Sequence, residues 1–403
     1  MKMFDLELIK SISRPSPTKI VLLVIDGLGG LPRPETGKTE LETADTPNLD
    51  KLAANGICGL SDPVGRGITP GSAPGHLALF GYDPISFNIG RGALEAVGID
   101  FNLQPGDVAA RGNFCTAEKA GLITDRRAGR ISTEMCAELC RLLDGQVVEN
   151  AKIFVQPVRE HRFIAVFRGD DLSPDVSDSD PQQLGVTPKI ITALSPEAER
   201  MAGIANQFVA QAKIILAEYL PANMLLLRGF SQRPHFPSMN EIYKLTPAAI
   251  ASYPMYQGLA RLVGMEALET GTSIEDEFRI LEQHYGNHDF FFLHVKGADS
   301  AGEDDDFERK VKVIEQVDKA LSELISMQPD VIVVSGDHST PALLGGHSWH
   351  PVPVLLCSEW CRTDRIKEFS EAACISGGLG RFPATQIMPL AMANALKFSK
   401  FGA

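Results

Sequence analysis

The sequence predicts an α/β protein: a core domain with a largely parallel central sheet flanked by helices, and a smaller α+β domain inserted into it. Three observations predict this. Apolar runs of strand length end in Asp, Lys-Gly or Gly-Asp-His. Amphipathic helical patterns lie between them. A central stretch then changes character, with strands crowded together and few helices. The 403 residues are 44% hydrophobic and 22% charged, a globular composition with room for two to three domains.

The elements follow in order. KIVLLVIDG (Lys19–Gly27) is a continuous apolar run, β-branched and short, which suits a strand buried on both faces. TPNLDKLAANG is a helix with Thr46 as N-cap, Pro47 at the first helical position and Gly56 as its stop. The inserted domain is placed at 105–235. In it, Lys152–Val158 and His161–Gly169 form a hairpin joined by Arg159 and Glu160. The acidic DDLSPDVSDSDPQQLG that follows is expected to be a mobile solvent loop. A helix then runs from the N-cap Ser195 to about Leu216, ahead of a strand NMLLLRGF. The core domain, 1–104 with 236–403, resumes with a strand at Phe290–Gly297. A helix follows whose one face carries Phe307, Val311, Ile314, Val317, Leu321 and Leu324. Val331–His338 and Val352–Ser358 are two more buried strands.

A net charge of −13 argues against a nucleic-acid binder, which needs a basic face. It leaves an anionic small molecule open, because a metal or a local Arg cluster reverses the field. No stretch approaches the ~20 apolar residues of a membrane span. The N-terminal MKMFDLELIKSISRP lacks the apolar region of a signal peptide. Seven cysteines, Cys58, Cys115, Cys136, Cys140, Cys357, Cys361 and Cys374, form no zinc-ribbon spacing and read as reduced thiols of a cytoplasmic protein.

Four clusters of metal-ligand type fall at strand ends. Asp26 closes VLLVID. Asp299 follows FFLHVKG, with Glu303 four residues on. Asp337 and His338 close VIVVSGDH, and His347 precedes HPVPVLL. If all four segments lie in one parallel sheet, these side chains converge on one edge and would hold one or two divalent cations. A lone Asp at a strand end is usually a turn former. Four such clusters at four strand ends are harder to explain that way. GLGG lacks the Lys-Ser/Thr of a phosphate loop, and IGRGALEAVG has no strand before it.

In GRGITPGSAPGHLALFGYDP, Ser72 stands between Gly71 and Ala73 ahead of a helical pattern. One reading is a plain N-cap, worth about 1 kcal/mol. The other is a nucleophile whose phosphoryl adduct is stabilised by the helix N-terminus, with a metal lowering the hydroxyl pKa.

At this point a resemblance emerges. VLLVIDGLGG, ADTPNLDKLAANG, TPGSAPGHLALFGYDP, GRGALEAVGI, RGNFCT, TDRRAGRIS, LLLRGF, YPMYQGLARLVGM and SGDHSTP…HSWHPVPVLL resemble the archaeal-type 2,3-bisphosphoglycerate-independent phosphoglycerate mutases, of the alkaline phosphatase superfamily. The likeness spans nearly the whole chain. It implies an alkaline-phosphatase-like core, with Ser72 as the phosphate acceptor facing one metal. Asp26, Asp337 and His338 match that metal's ligands, and Asp299 and His347 match those of a second. The family has His four residues after the second-site Asp; here Glu303 stands there, a harder donor that favours Mn2+ or Mg2+ over Zn2+. His350 matches no ligand position.

The implied reaction moves phosphate from 3-phosphoglycerate to Ser72 and back to the 2-hydroxyl, with two divalent cations and no 2,3-bisphosphoglycerate. Arg111, Arg126, Arg127, Arg130, Arg162 and Arg228 of the inserted domain, and Lys296 of the core, are the candidates to grip the small phosphorylated carboxylate. Metals and arginines in different domains imply closure on substrate. Two alternatives stay open: a metal-dependent phosphatase or a phosphotransferase acting on another small alcohol such as homoserine, and a non-catalytic protein that keeps the fold. A homo-oligomer is also left open.

Overall fold

The computed structural model describes residues 6–87, 89–234 and 236–402. The first five residues, at the head of the stretch expected to lack a signal peptide, lie outside them. In chain order the strands are β1 (Ile20–Ile25), β2 (Ile57–Asp62), β3 (Val108–Ala117), β4 (Ile123–Asp125), β5 (Val147–Val148), β6 (Ala151–Arg159), β7 (Arg162–Arg168), β8 (Met224–Ser231), β9 (Pro247–Ala251), β10 (Glu266–Leu268), β11 (Phe290–Val295), β12 (Val331–Ser335), β13 (Val352–Ser358) and β14 (Gly380–Pro383). The chain divides into two units, Met1–Asn88 with Phe236–Ala403, and Ile89–His235. Among the described residues no helix is long and apolar enough to cross a membrane.

In the first unit, eight strands form one sheet in the order β10-β9-β11-β1-β12-β13-β2-β14. β1 is central and parallel to both neighbours, with Val21 beside Phe291 and Ile332. Every residue of β1 and β11 is buried, which is why both appear as continuous apolar runs. The helix Phe307–Ser326 turns Ile314, Val317, Leu321 and Leu324 inward, into a core with Leu23, Ile25 and Phe291, and buries Val311 as well. At the helix Pro47–Asn55, Thr46 is the N-cap as expected, but its side chain makes no capping bond.

One expectation fails here in an instructive way. β13 is antiparallel to both β12 and β2, so it alone runs against the rest of the sheet. His347 lies before β13, and only a reversed strand brings that end to the edge where β1, β11 and β12 finish. Had all four segments been parallel, His347 would sit at the opposite edge. β2, β9, β10 and β14 escaped the sequence reading. ICGLSD and PAAIA are short and made largely of small residues, with a single β-branched residue each.

The second unit is one antiparallel sheet, β4-β3-β7-β6-β5, with β8 paired to the other side of β3. The helices Thr133–Leu143 and Glu199–Leu216 contribute Leu139, Leu143, Ile204 and Phe208 to a core with Ile153, Phe163 and Phe167. The helix Arg91–Gly98 accounts for a start ahead of residue 105. Ser231 Oγ on β8 accepts from the Ala93 N–H at 2.9 Å, and a Cβ on Gly92 would stand 2.1 Å from the Ala109 carbonyl. The acidic segment is not a free loop. Ser179 and Asp180 are buried, Ser179 Oγ accepts from Leu227 N at 2.7 Å, and Asp178 accepts from Gly229 N at 2.7 Å. Composition suggested solvation; pairing to β8 overrides it.

A buried acid in the first unit makes stability pH-dependent. Glu277, on the helix Ile274–His284, is pushed up by burial from its ordinary 4.5 to about 8, against hydrogen bonds from Ser252. The folded chain holds the proton while the unfolded chain releases it above about pH 4.5. Stability from this group is therefore full below about pH 4.5 and lost as pH rises through about 8. Glu277→Gln should match the parent's Tm near pH 5 and exceed it above pH 8, measured by thermal melts across that range.

Candidate active site

The edge where β1, β11 and β12 end gathers the titratable side chains. Asp26 follows β1, Asp299 lies beyond β11 on the helix Gly297–Glu303, and Asp337 and His338 follow β12. All four are buried. Close approach of these turns requires glycine at position 27, where φ is +68° and a Cβ would stand 2.6 Å from Thr340 Oγ1.

Ligand-type atoms fall into two groups. Asp26, Asp337 and His338 each bring one within 4.8 Å of the others, and so do Asp299, His338 and His347. His338 belongs to both, and its ring stacks on His347 with centroids 3.6 Å apart. The hydrogen bonds set the tautomers. Thr340 Oγ1 donates to Asp299 Oδ1 at 2.7 Å, so it accepts from His338 Nδ1 at 2.9 Å and leaves Nε2 turned toward Asp26 Oδ1 (3.4 Å) and Asp337 Oδ2 (3.1 Å). His347 Nδ1 faces only the Pro70 carbonyl, at 3.0 Å, and must donate to it. Its Nε2 then points at Asp299 Oδ1, 3.5 Å away.

These residues fit cations. Asp26 Oδ1 and Asp337 Oδ2 are buried carboxylate oxygens with no hydrogen-bond partner, an arrangement that is costly unless a positive charge faces them. Burial and Asp337 push the Asp26 carboxyl up, yet Lys296 and two imidazoles hold it below its usual range. Burial also opposes ionisation of Asp299, but His347 brings it down to about 2. The converse holds for His347, raised to about 9 by Asp299 against its burial. That proton stands where a cation would, and ligation displaces it.

Glu303 stands apart. Its side chain is 54% exposed and Oε1 lies 3.7 Å from His347 Nε2, outside both groups. Lys296 Nζ, 3.2 Å from Asp26 Oδ2 and paired with Asp299 Oδ2, bridges the two groups. His350 Nδ1 is tied to Ser348 Oγ at 2.9 Å, and its ring stacks on Trp349.

Ser72 opens the helix Ser72–Leu79 as its first residue, and Gly71 is the N-cap. The cap position falls to Gly71, so the plain-cap reading fails. Oγ instead lies 3.4 Å from His338 Nε2.

Several residues here escaped notice in the sequence. Tyr256 donates to Asp26 Oδ2 at 2.5 Å, and its ring lies 3.9 Å from that of His294. His294 Nε2 is itself 3.3 Å from Asp26 Oδ2. His76 Nδ1 donates to the Ser72 carbonyl at 2.8 Å and lies 3.2 Å from Asp337 Oδ2. An imidazole inside FFFLHV, and another one helical turn after Ser72, were the available signals. Tyr256 had none.

In the second unit, the predicted arginines part company. Arg111 pairs with the buried Glu95 at 3.0 Å, and Arg91, Arg162 and Arg228 all act on the same carboxylate. Burial lowers Arg111 to about 10, offset by Glu95. Arg126 is held by Asp180 through two bonds, of 3.0 and 2.7 Å, and Arg228 lies 3.6 Å from that carboxylate. Arg127 and Arg130 are exposed on a surface turn closed by Asp125. Arg91 and Glu95 were not foreseen.

A model of the family described as 2,3-bisphosphoglycerate-independent phosphoglycerate mutase matches residues 53–221. A Deinococcus radiodurans protein named "Probable 2,3-bisphosphoglycerate-independent phosphoglycerate mutase" is 48% identical over 99% of this chain and 99% of its own. A Thermus thermophilus protein of the same name is 46% identical over 98% of each. Among solved structures, a Pyrococcus horikoshii protein covers 97% of this chain and 100% of its own with TM-score 0.84 at 30% identity. A cofactor-independent phosphoglycerate mutase from Thermoplasma acidophilum gives TM-score 0.73 at 32% identity, over 94% of this chain and 100% of that one.

Proposed function

The chain belongs to the 2,3-bisphosphoglycerate-independent phosphoglycerate mutases, and from that premise we propose how its residues interconvert 3-phosphoglycerate and 2-phosphoglycerate. Ser72 Oγ gives up its proton and attacks the phosphorus, the bond to the glycerate 3-oxygen breaks, and that oxygen takes up a proton in turn. Glycerate reorients. Its 2-hydroxyl then gives up its proton and attacks the phosphoserine, and Oγ leaves and takes up a proton. The observation that carries this reading is Ser72 Oγ, one residue past the cap position and 3.4 Å from His338 Nε2 among the buried ligands.

Asp26, Asp337 and His338 would hold one divalent cation, and Asp299 and His347, with Glu303 beside them, a second. The oxygen-rich donor set favours Mn2+ or Mg2+. Cations there supply positive charge to the transferring phosphoryl oxygens and lower the pKa of the serine hydroxyl. Lys296 adds a fixed positive charge at the same edge. The helix N-terminus at Ser72 offers backbone N–H groups to the phosphoryl. Arg111, Arg162 and Arg228, with Arg91, form the group best suited to the substrate's anionic ends, and Glu95 keeps them from repelling one another. Arg126, already held twice by Asp180, is the weaker candidate. Seven free cysteines support a cytoplasmic location.

The test supplies 3-phosphoglycerate and Mn2+ to the purified protein without 2,3-bisphosphoglycerate and follows 2-phosphoglycerate and free phosphate. The expected result is isomer without phosphate release. Phosphate as the main product would make it a phosphatase instead.

A further inference from the structure

Behind the ligands lies a buried lysine that the reaction does not use. Lys310 sits in the first turn of the helix Phe307–Ser326 and is fully buried. Its Nζ donates to the Gly29 carbonyl at 3.0 Å and to the Thr340 carbonyl at 2.9 Å, with Glu40 Oε1 3.7 Å away. The two carbonyls belong to different loops. Gly29 is three residues past Asp26. Thr340 is two past His338, and its own hydroxyl links His338 to Asp299. Glu40 Oε1 in turn accepts from Ala342 N at 2.8 Å, fastening the second loop further along. The loops also touch directly, through Thr340 N to Gly29 O at 3.1 Å.

Three ligands of the first group thus lie on two loops that one ammonium bridges, beside the loops' own direct bond. A buried Lys without partners would be strongly unfavourable. Here three acceptors surround it, and each is fixed in turn. A cation coordinated by both loops needs its donors spaced to within a few tenths of an ångström. We infer that Lys310 is a positioning residue: it clamps the Asp26 loop to the Asp337–His338 loop and so sets the affinity for the divalent cation. This rests on the metal assignment proposed above. It adds a residue that touches neither cation nor substrate, and whose removal should weaken the site from behind.

Lys310→Met keeps the aliphatic stem and removes the ammonium. The double variant Lys310→Met/Glu40→Gln also removes the carboxylate left without its cation, while Gln retains an acceptor for Ala342 N. Mn2+ binding to parent and variants is measured by calorimetry without substrate, with circular dichroism as the check on folding and kcat and KM taken across a Mn2+ series. The expected result is Mn2+ affinity reduced about 10- to 100-fold in both variants, as when groups supporting metal ligands are removed. kcat should be recovered at high Mn2+, and KM for 3-phosphoglycerate should be unchanged. Parent-like affinity in a folded variant would overturn the inference. So would failure of both variants to fold even at saturating Mn2+, which would make Lys310 a general stability element. A parent that binds no Mn2+ at all would instead sink the metal assignment itself.

Discussion

Ser72→Ala should lower kcat for phosphoglycerate isomerisation by about a thousandfold or more, the scale of removing a nucleophile, while leaving metal content intact. The two outcomes separate because Ser72 supports the fold so little. Gly71, not Ser72, is the N-cap, and Ser72 Oγ lies instead 3.4 Å from His338 Nε2. The bond that does matter locally runs from His76 to the Ser72 main-chain carbonyl, which alanine keeps. Stability should therefore shift by well under the ~1 kcal/mol of a lost cap. Kinetics with metal analysis on the same preparation make the check, and near-normal turnover would remove Ser72 from the mechanism.

Chelation should abolish activity and lower Tm by several degrees, and Mn2+ should restore both. Two buried carboxylate oxygens, on Asp26 and Asp337, have no hydrogen-bond partner, so a cation contributes to folding as well as to chemistry. At a thousandfold excess over Kd the contribution is about 4 kcal/mol. Affinity should rise with pH up to about 9, because the His347 proton must leave first. Glu303→Ala divides the question further: bound metal should fall from two toward one per chain. Unchanged stoichiometry would mean that Glu303, exposed and 3.7 Å from His347 Nε2, is not a ligand.

Much of this site was legible as residues, and less of it as geometry. Asp26, Asp337 and His338 stand directly after apolar runs, and a buried strand that ends in a charged side chain announces an edge. Strand direction carries no such mark. VPVLLCS has the same periodicity whichever way it runs, so the reversal that delivers His347 could not be read from it. Tyr256 was invisible for another reason. It lies within an amphipathic helix, where an aromatic is ordinarily core, and its hydroxyl bond to Asp26 spans 230 residues. Asp180 shows the opposite failure, since an acid in an acidic, proline-rich stretch looks solvated until Arg126 is found against it.

During synthesis, β1 leaves the ribosome long before the strands that flank it. Its neighbours β11 and β12 are made only in the last third of the chain. The whole segment 89–235, with a sheet and core of its own, is translated in between. Until then a six-residue apolar strand has both edges bare, a template for pairing with another nascent chain. A product truncated before Phe290 should precipitate, because neither strand that covers the edges of β1 has been made.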